Sequence, residues 1–208
     1  MLKTRIAVFV SGGGTNLQAL LDAQRDGALT AGEIVLVLSS NEKAYALQRA
    51  EKAGVPTAVC SRKALGNQEA FEAVISAALA AHSVDMIVLA GFMSILSKEF
   101  TDQWPERILN VHPSLIPSFC GEGYYGLRVH EAALARGVKV TGATVHFVNE
   151  IPDGGRILLQ KAVAIEDGDT PEILQRRVME HAEWLLLPQA AQMVAEKIGR
   201  EKNDHETL

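Results

Sequence analysis

Hydrophobic positions along the 208 residues follow two alternating rhythms. Short apolar, β-branched runs at 5–10, 34–39, 57–60, 86–90 and 108–111 predict strands. Between them the apolar spacing becomes helical. The stretch 16–26 repeats Leu17, Leu20 and Leu21, 45–53 is rich in helix formers, and 69–81 places Phe71, Val74, Ile75 and Leu79 on one face. This βαβα order requires parallel strands joined by helical crossovers, and crossovers on both sides explain why 86–90 is apolar at every position. After His112 the pattern changes to a Pro- and Gly-rich loop at 113–126, a short helix near 130–135, and strand-like runs at 143–148 and 156–164 that are expected to extend the sheet antiparallel. A final helical pattern covers 170–198, with Thr170 as cap, Pro171 in the first turn and Pro188 as a kink or break. The polar tail 201–208 is expected to be loose. The class that follows is α/β: three layers, a mostly parallel open sheet with helices on both faces, and an antiparallel C-terminal extension. No repeat or linker divides the chain, so 1–208 reads as one domain with halves at about 1–105 and 106–200.

Composition narrows the partners. Apolar residues make up 48% of the chain and charged ones 22%, as in ordinary globular proteins. The net charge of −5 is spread without a basic run, which disfavours nucleic acid and points to a small ligand met by a few local groups. No apolar stretch approaches the ~20 residues that cross a bilayer, and the N-terminus enters a strand pattern with no secretory signal, so a cytoplasmic location without membrane contact is expected. Cys60 and Cys120 form no ligand pair, and six histidines without close metal-ligand spacing call for no metal.

Three motifs carry chemistry. The first, Ser-Gly-Gly-Gly-Thr-Asn at 11–16, joins the first strand to the first helix. Its glycines let the backbone approach a ligand, and a helix N-terminus favours an anion such as a phosphate monoester. It lacks the Lys of a Walker loop, and Leu17 replaces the third glycine of the dinucleotide pattern; taken alone it points to no more than a phosphate, with a tight turn that binds nothing as the lesser alternative. The second, Ile-Leu-Asn-Val-His-Pro-Ser at 108–114, puts Asn110 and His112 two apart on a strand, hence on one face, at the carboxyl end where open α/β sheets bind ligands. An amide and an imidazole there suit an oxygen that gains charge in acyl transfer. Ser114 stands in no nucleophile elbow and reads as a turn residue. The third, 144–155, is a strand followed by Asp153 and two glycines. Asp153 could hold an imidazolium and raise its pKa, while the Asp-Gly dipeptide alone reads as an ordinary turn.

In this order and spacing, SGGGTNLQAL, VDMIVLAGFMSIL, ILNVHPSLIP and GATVHFVNEIPDGG resemble the phosphoribosylglycinamide formyltransferases, within the 10-formyltetrahydrofolate-dependent formyltransferases, from Arg5 to Val194. The resemblance implies a Rossmann-like fold and transfer of a formyl group from 10-formyltetrahydrofolate to the amine of glycinamide ribonucleotide. By likeness Asn110, His112 and Asp153 match the catalytic trio, and Gly14, Thr15 and Asn16 the phosphate loop. Glu183 matches a carboxylate contacting the ribonucleotide; Met93, Ser94, Ile95, Leu96 and Asn110 match folate contacts. Gln68 and Ser94 depart from the more familiar basic residues, and Arg62 or Lys63 are candidates to compensate. The loop 118–126 is longer than in the plainest members and reads as a surface loop. His130 and His146, near the site by likeness, read as structural or substrate-positioning, and His82, His181 and His205 as helix-end or surface. The implied partners are the two small substrates alone, with a monomer or homodimer. Hydrolases and tRNA formyltransferases of the wider family carry further domains that are not expected here, and a non-catalytic phosphate-sensing module is the reading from a different class.

Overall fold

The computed structural model describes residues 3–206. Along the chain run β1 (Thr4–Val10), α1 (Thr15–Arg25), β2 (Gly32–Ser39), α2 (Tyr45–Lys52), β3 (Thr57–Val59), α3 (Arg62–Leu65), α4 (Gln68–Ala81), β4 (Met86–Leu89), α5 (Lys98–Thr101) and β5 (Ile108–His112). Then follow α6 (Leu127–Arg136), β6 (Val140–Phe147), β7 (Ile157–Ala164), α7 (Pro171–Val178), a π-helical turn (Met179–Glu183) and α8 (Trp184–Glu206). The strands form one seven-stranded sheet in the order β3-β2-β1-β4-β5-β6-β7. β1 to β5 pair parallel, and β6 and β7 add antiparallel.

The period of two in each strand divides the core into two layers. Ile6, Val8 and Val10 of β1, Met86 and Val88 of β4, and Leu109 and Val111 of β5 pack on the side covered by α1, α2, α7 and α8. Ala7, Phe9, Ile87, Leu89 and Ile108 face the other side, where α4 supplies Phe71, Ile75 and Leu79 and α5 supplies Phe100. Each large apolar side chain fully buried this way contributes about 1.5–3 kcal/mol, which makes the central strands the rigid base for the loops at their carboxyl ends. Asn110 and His112 share the parity of Ile108 and so project on the α4 side, as the strand spacing predicts.

Several boundaries differ from expectation. α3 and α5 have four residues each, too short to produce a helical period. Val74, expected on the buried face of α4, is 42% exposed, because Phe71, Ile75 and Leu79 at spacings of four already fill that face. Pro188 does not break the helix; it lies inside α8. The departure from α-geometry comes a turn earlier, in the π segment, which ends at Trp184 with ψ −13°. Trp184 carries the carbonyl that the Pro188 ring would otherwise strike. The tail from Glu201 is helical as far as Glu206. Arg107 holds Glu201 at 3.1 Å and Lys202 reaches Asp85 at 2.5 Å, long-range pairs that anchor this last turn.

The β6–β7 pairing leaves no room for a side chain at Gly142, where a Cβ would lie 2.0 Å from the Lys161 carbonyl oxygen. Gly142→Ala is therefore expected to destabilise the fold by about 2 kcal/mol or more. Urea unfolding measures this, and an unchanged midpoint would contradict the close approach.

Candidate active site

The first turn of α1 begins at Gly14, whose φ of 72° and ψ of 34° place it in the left-handed region. No side chain caps this helix. A Cβ on Gly14 would also come within 2.6 Å of the Ala46 Cβ, so α2 packs directly against the loop. Thr15 directs its hydroxyl at the Met179 sulfur, 3.8 Å away, and Asn16 Nδ2 donates to Glu183 Oε2 at 2.7 Å. The π segment thus lays two residues on the start of α1. Burial pushes the Glu183 carboxyl up to about 7, against the Asn16 hydrogen bond, which favours the ionised form. The Asn16 Oδ1 and Trp184 Nε1 atoms beside it are buried without a protein partner.

Across the sheet, β5 and β6 bring together the groups read from the second and third motifs. Asn110 lies opposite His146 in the antiparallel register, and His112 lies opposite Thr144. Asn110 Nδ2 is 3.1 Å from His146 Nε2 and 3.4 Å from Asp153 Oδ1. His112 Nδ1 is 3.4 Å from Asp153 Oδ2, and His146 Nε2 is 3.5 Å from Asp153 Oδ1. His146 Nδ1 lies 2.8 Å from the Phe147 carbonyl, which can only accept, so Nδ1 carries a proton. The Asn110 amide nitrogen faces the Asp153 carboxylate, to which it can only donate. Sequence reasoning left His146 outside the candidate catalytic set. The signal that places it here is the β5–β6 register.

The loop 118–126, expected to be a surface feature, reaches into this group. The Phe119 carbonyl oxygen accepts from His112 Nε2 at 2.9 Å, and the Gly121 amide donates to Asp153 Oδ2 at 2.9 Å. Phe119 and Asp153 hold φ values of 50° and 56°, uncommon for residues with a side chain and here secured by those bonds. The loop's backbone, with no side-chain signature in the sequence, makes both contacts. Tyr124 and Tyr125 stay largely exposed at its tip.

Burial lowers the His112 pKa below the usual imidazole range, and His146 adds to this, while Asp153 and the Phe119 carbonyl pull it up without cancelling. Asp153 does favour the imidazolium, as the sequence suggested, but desolvation outweighs it, and the ring is mostly neutral at pH 7 before substrate binds. For Asp153, burial works upward, yet the hydrogen bond with His146, the charge of His112 and the Gly121 amide together hold the carboxyl below its ordinary range. His130, on α6, is wholly buried with neither ring nitrogen bonded. Burial and the neighbouring His112 push it down to about 4, so it is neutral.

A cleft of about 100 Å³ opens beside the trio, lined by Phe92, Ser94, Ile95 and Leu96 as well as Asn110, His146 and Asp153. Met93 lies outside that lining but donates its amide to Ser11 Oγ at 2.9 Å, joining the 92–96 segment to the glycine loop. Gln68, at the start of α4, donates to the Ile95 carbonyl at 3.1 Å and to Glu72 at 2.6 Å, and so braces the segment. Arg62 and Lys63 line none of this cleft. His82 and His181 lie at a helix end and within the π segment, and the side chain of His205 falls outside the described residues. Among the described residues no group of three His, Cys, Asp or Glu could hold a metal, and no helix is long and apolar enough to cross a membrane.

The sequence matches the formyl transferase family over residues 4–190. It is 42% identical over 184 residues to the phosphoribosylglycinamide formyltransferase of Haemophilus influenzae, covering 88% of this chain and 84% of that one. It is 47% identical over 193 residues to the trifunctional purine biosynthetic protein adenosine-3 of Bos taurus, covering 93% of this chain but spanning only 18% of that protein. Among solved structures it resembles glycinamide ribonucleotide transformylase 1 from Symbiobacterium toebii, with a TM-score of 0.87, 42% identity and coverage of 94% and 89% of the two chains. It also resembles phosphoribosylglycinamide formyltransferase from Brucella melitensis, with a TM-score of 0.84, 43% identity and coverage of 93% and 96%. A shared fold at this identity, running through the glycine loop, β5 and the Asp153 loop alike, makes the chain a member of the formyl transferase family.

Proposed function

We propose that this protein transfers the formyl group of 10-formyltetrahydrofolate to the amine of glycinamide ribonucleotide, a step of purine synthesis. The observation that carries the reading is the convergence of Asn110, His112 and Asp153 at the carboxyl end of β5, beside a cleft that Asn110 and Asp153 line and that Met93 and Ser11 tie to an uncapped glycine loop. A phosphate on the amides of Gly14, Thr15 and Asn16 anchors the ribonucleotide, and Glu183 meets its ribose. The folate lies along Met93, Ser94, Ile95 and Leu96, with Gln68 holding that segment from behind. The neutral amine attacks the formyl carbon and its oxygen becomes an oxyanion. Asn110 Nδ2 meets His146 at 3.1 Å and donates to Asp153 at 3.4 Å, and the oxyanion takes the place of that longer contact. His112 supplies a second donor when the formyl oxygen takes the place of the Phe119 carbonyl at Nε2. The amine sheds a proton and N10 of the leaving tetrahydrofolate gains one, so the His112–Asp153 pair relays a proton with no net change. The free ring starts neutral with its proton on Nε2, so the transferred proton is taken up at Nδ1 by way of Asp153, whose charge stabilises the imidazolium that results, and the Nε2 proton is the one passed on to N10.

Release of tetrahydrofolate, followed with and without the ribonucleotide, decides the reaction. Release only when the ribonucleotide is present supports transfer, release with water alone makes the protein a hydrolase, and no release in either case leaves a phosphate-binding module.

Removing one oxyanion donor typically costs on the order of a hundredfold in turnover. Asn110→Ala and His112→Ala are expected to lose at least that much, and Asp153→Asn a smaller or comparable amount. Steady-state rates of the purified variants test this, and near-normal turnover by the His112 variant would remove the mechanism.

Glu183 gives a prediction for stability. Its folded pKa, raised to about 7, lies above the unfolded value of about 4.5, so its contribution is complete below pH 4.5, declines as pH rises to 7, and is constant beyond. Glu183→Gln keeps an acceptor for Asn16 and carries no charge. The variant should therefore be the more stable protein at pH 8, by at most about 3 kcal/mol, with the advantage vanishing near pH 4.5. Urea midpoints at the two pH values measure it; an equal difference at both would show that the carboxyl does not titrate as described.

A further inference from the structure

The backbone amides of the glycine loop donate nothing to the protein. Those of Gly12, Gly13, Gly14, Thr15 and Asn16 have no protein acceptor among the described residues, whereas the carbonyls of Gly12, Gly13 and Gly14 are all held. The first two are held from α2. The Ala46 amide donates to the Gly12 carbonyl at 3.0 Å, and Arg49 Nε donates to the Gly13 carbonyl at 2.8 Å. A trans peptide points its C=O and N–H in opposite directions, so fastening these two carbonyls toward α2 aims the Gly13 and Gly14 amides away from it, at the side where an anion docks.

Arg49 has a second property. It forms no ion pair with any described carboxylate; its Nη1 donates instead to the neutral Gln18 amide oxygen at 3.0 Å, and its guanidinium lies 5.0 Å from the centre of the Tyr45 ring. Half-buried beside a loop whose own residues carry no charge, it keeps an uncompensated positive charge at the N-terminus of α1, where the helix dipole has the same sign. A cation placed there by folding, without a partner, costs free energy that an incoming dianion returns.

We propose that Arg49 is a positioning residue for the phosphate of the ribonucleotide: it fixes the peptide planes of the glycine loop through the Gly13 carbonyl and supplies the positive charge that the loop lacks. This rests on the reading that the loop holds that phosphate, and the test separates the two. Arg49→Met and Arg49→Lys are compared with the wild type for turnover and, by calorimetry, for binding of ribose 5-phosphate and of ribose. Arg49→Met is expected to raise the KM for the ribonucleotide and the Kd for ribose 5-phosphate by about tenfold or more. Its kcat and folate KM should stay within about twofold to threefold, because the substitution leaves the β5 site untouched. Arg49→Lys, which restores charge without the planar fork, should recover part of the loss in both constants. Wild-type turnover with phosphate-ligand affinity unchanged in both variants overturns the role of Arg49 alone. Failure of the wild type to bind ribose 5-phosphate more tightly than ribose overturns the phosphate loop itself. If Arg49→Met does not fold, the Arg49→Lys protein decides: intermediate phosphate affinity with normal kcat supports the proposal, and wild-type affinity refutes it.

Discussion

A carboxylate withdrawn from water stays ionised only where hydrogen-bond donors and positive charge replace its lost hydration, and Asp153 meets that condition from three separate parts of the chain. The Gly121 amide comes from the loop after β5, Asn110 from β5 and His146 from β6, and His112 adds its charge when it is protonated. The Asp153 side chain is only 12% exposed, so loss of the Gly121 or His146 contact would move its pKa toward the protonated form. The arrangement makes the carboxylate a joint between β5, β6 and the loop that follows β5. It also explains why the 118–126 loop, whose aromatic tip is solvent-facing, has an ordered base.

The same withdrawal from water acts in the opposite sense on the imidazole. His112 is more buried than Asp153, and for a cationic acid burial favours the neutral form. The carboxylate and the Phe119 carbonyl face its two nitrogens, a geometry suited to an imidazolium, while the surroundings penalise its charge. Burial is the larger effect, and the carboxylate and the carbonyl oppose it. A neutral ring beside an ionised carboxylate can take up a proton and give it back, which suits the proposed reaction, in which one proton moves and none is left behind. His130, also buried, has its own pKa pushed down to about 4 by burial and by the neighbouring His112, so it stays neutral and adds no charge beside that ring.

The parts of this arrangement that depend on backbone period were legible in the sequence. Asn110 and His112 share a face because they are two apart on a strand, and the alternation of apolar runs with helical spacing gave the parallel half of the sheet. What depends on long-range register was not. His146 joins the site only because β6 pairs antiparallel with β5 so that residue 146 falls opposite 110, and nothing in the residues around it announces that offset. The contacts from Phe119 and Gly121 come from peptide groups, which every residue has. The last turn of α8 looked loose because its polar residues have no apolar stripe; they are held by Asp85 and Arg107, about a hundred positions earlier. Net electrostatics misled in a similar way: Asp153 near an imidazole suggested a raised pKa, and burial, invisible in sequence, reversed the sign.

Why the phosphate loop and the acyl-transfer groups meet at all follows from strand order. The chain runs outward from β1 through β2 to β3, then returns to the other side of β1 with β4 and continues to β5. The loops leaving β1 and β4 therefore part in opposite directions over neighbouring strands, opening a crevice at the carboxyl edge of the sheet. Ser11, just after β1, bridges that crevice: it lies 2.6 Å from Ser40 beyond β2 and accepts the Met93 amide beyond β4. From β5, next in order, Asn110 and His112 enter at the far wall. On the opposite layer the π segment brings Glu183 to Asn16, closing the near end of the crevice. A ligand that spans it must carry an anionic end and a reactive end separated by little more than the width of two strands, roughly 10 Å at normal spacing. The ribose phosphate with a short amine side chain of the proposed reaction has that reach, and in that reading the fixed distance between the two anchoring points, more than any one contact, limits which amines arrive at the reactive end.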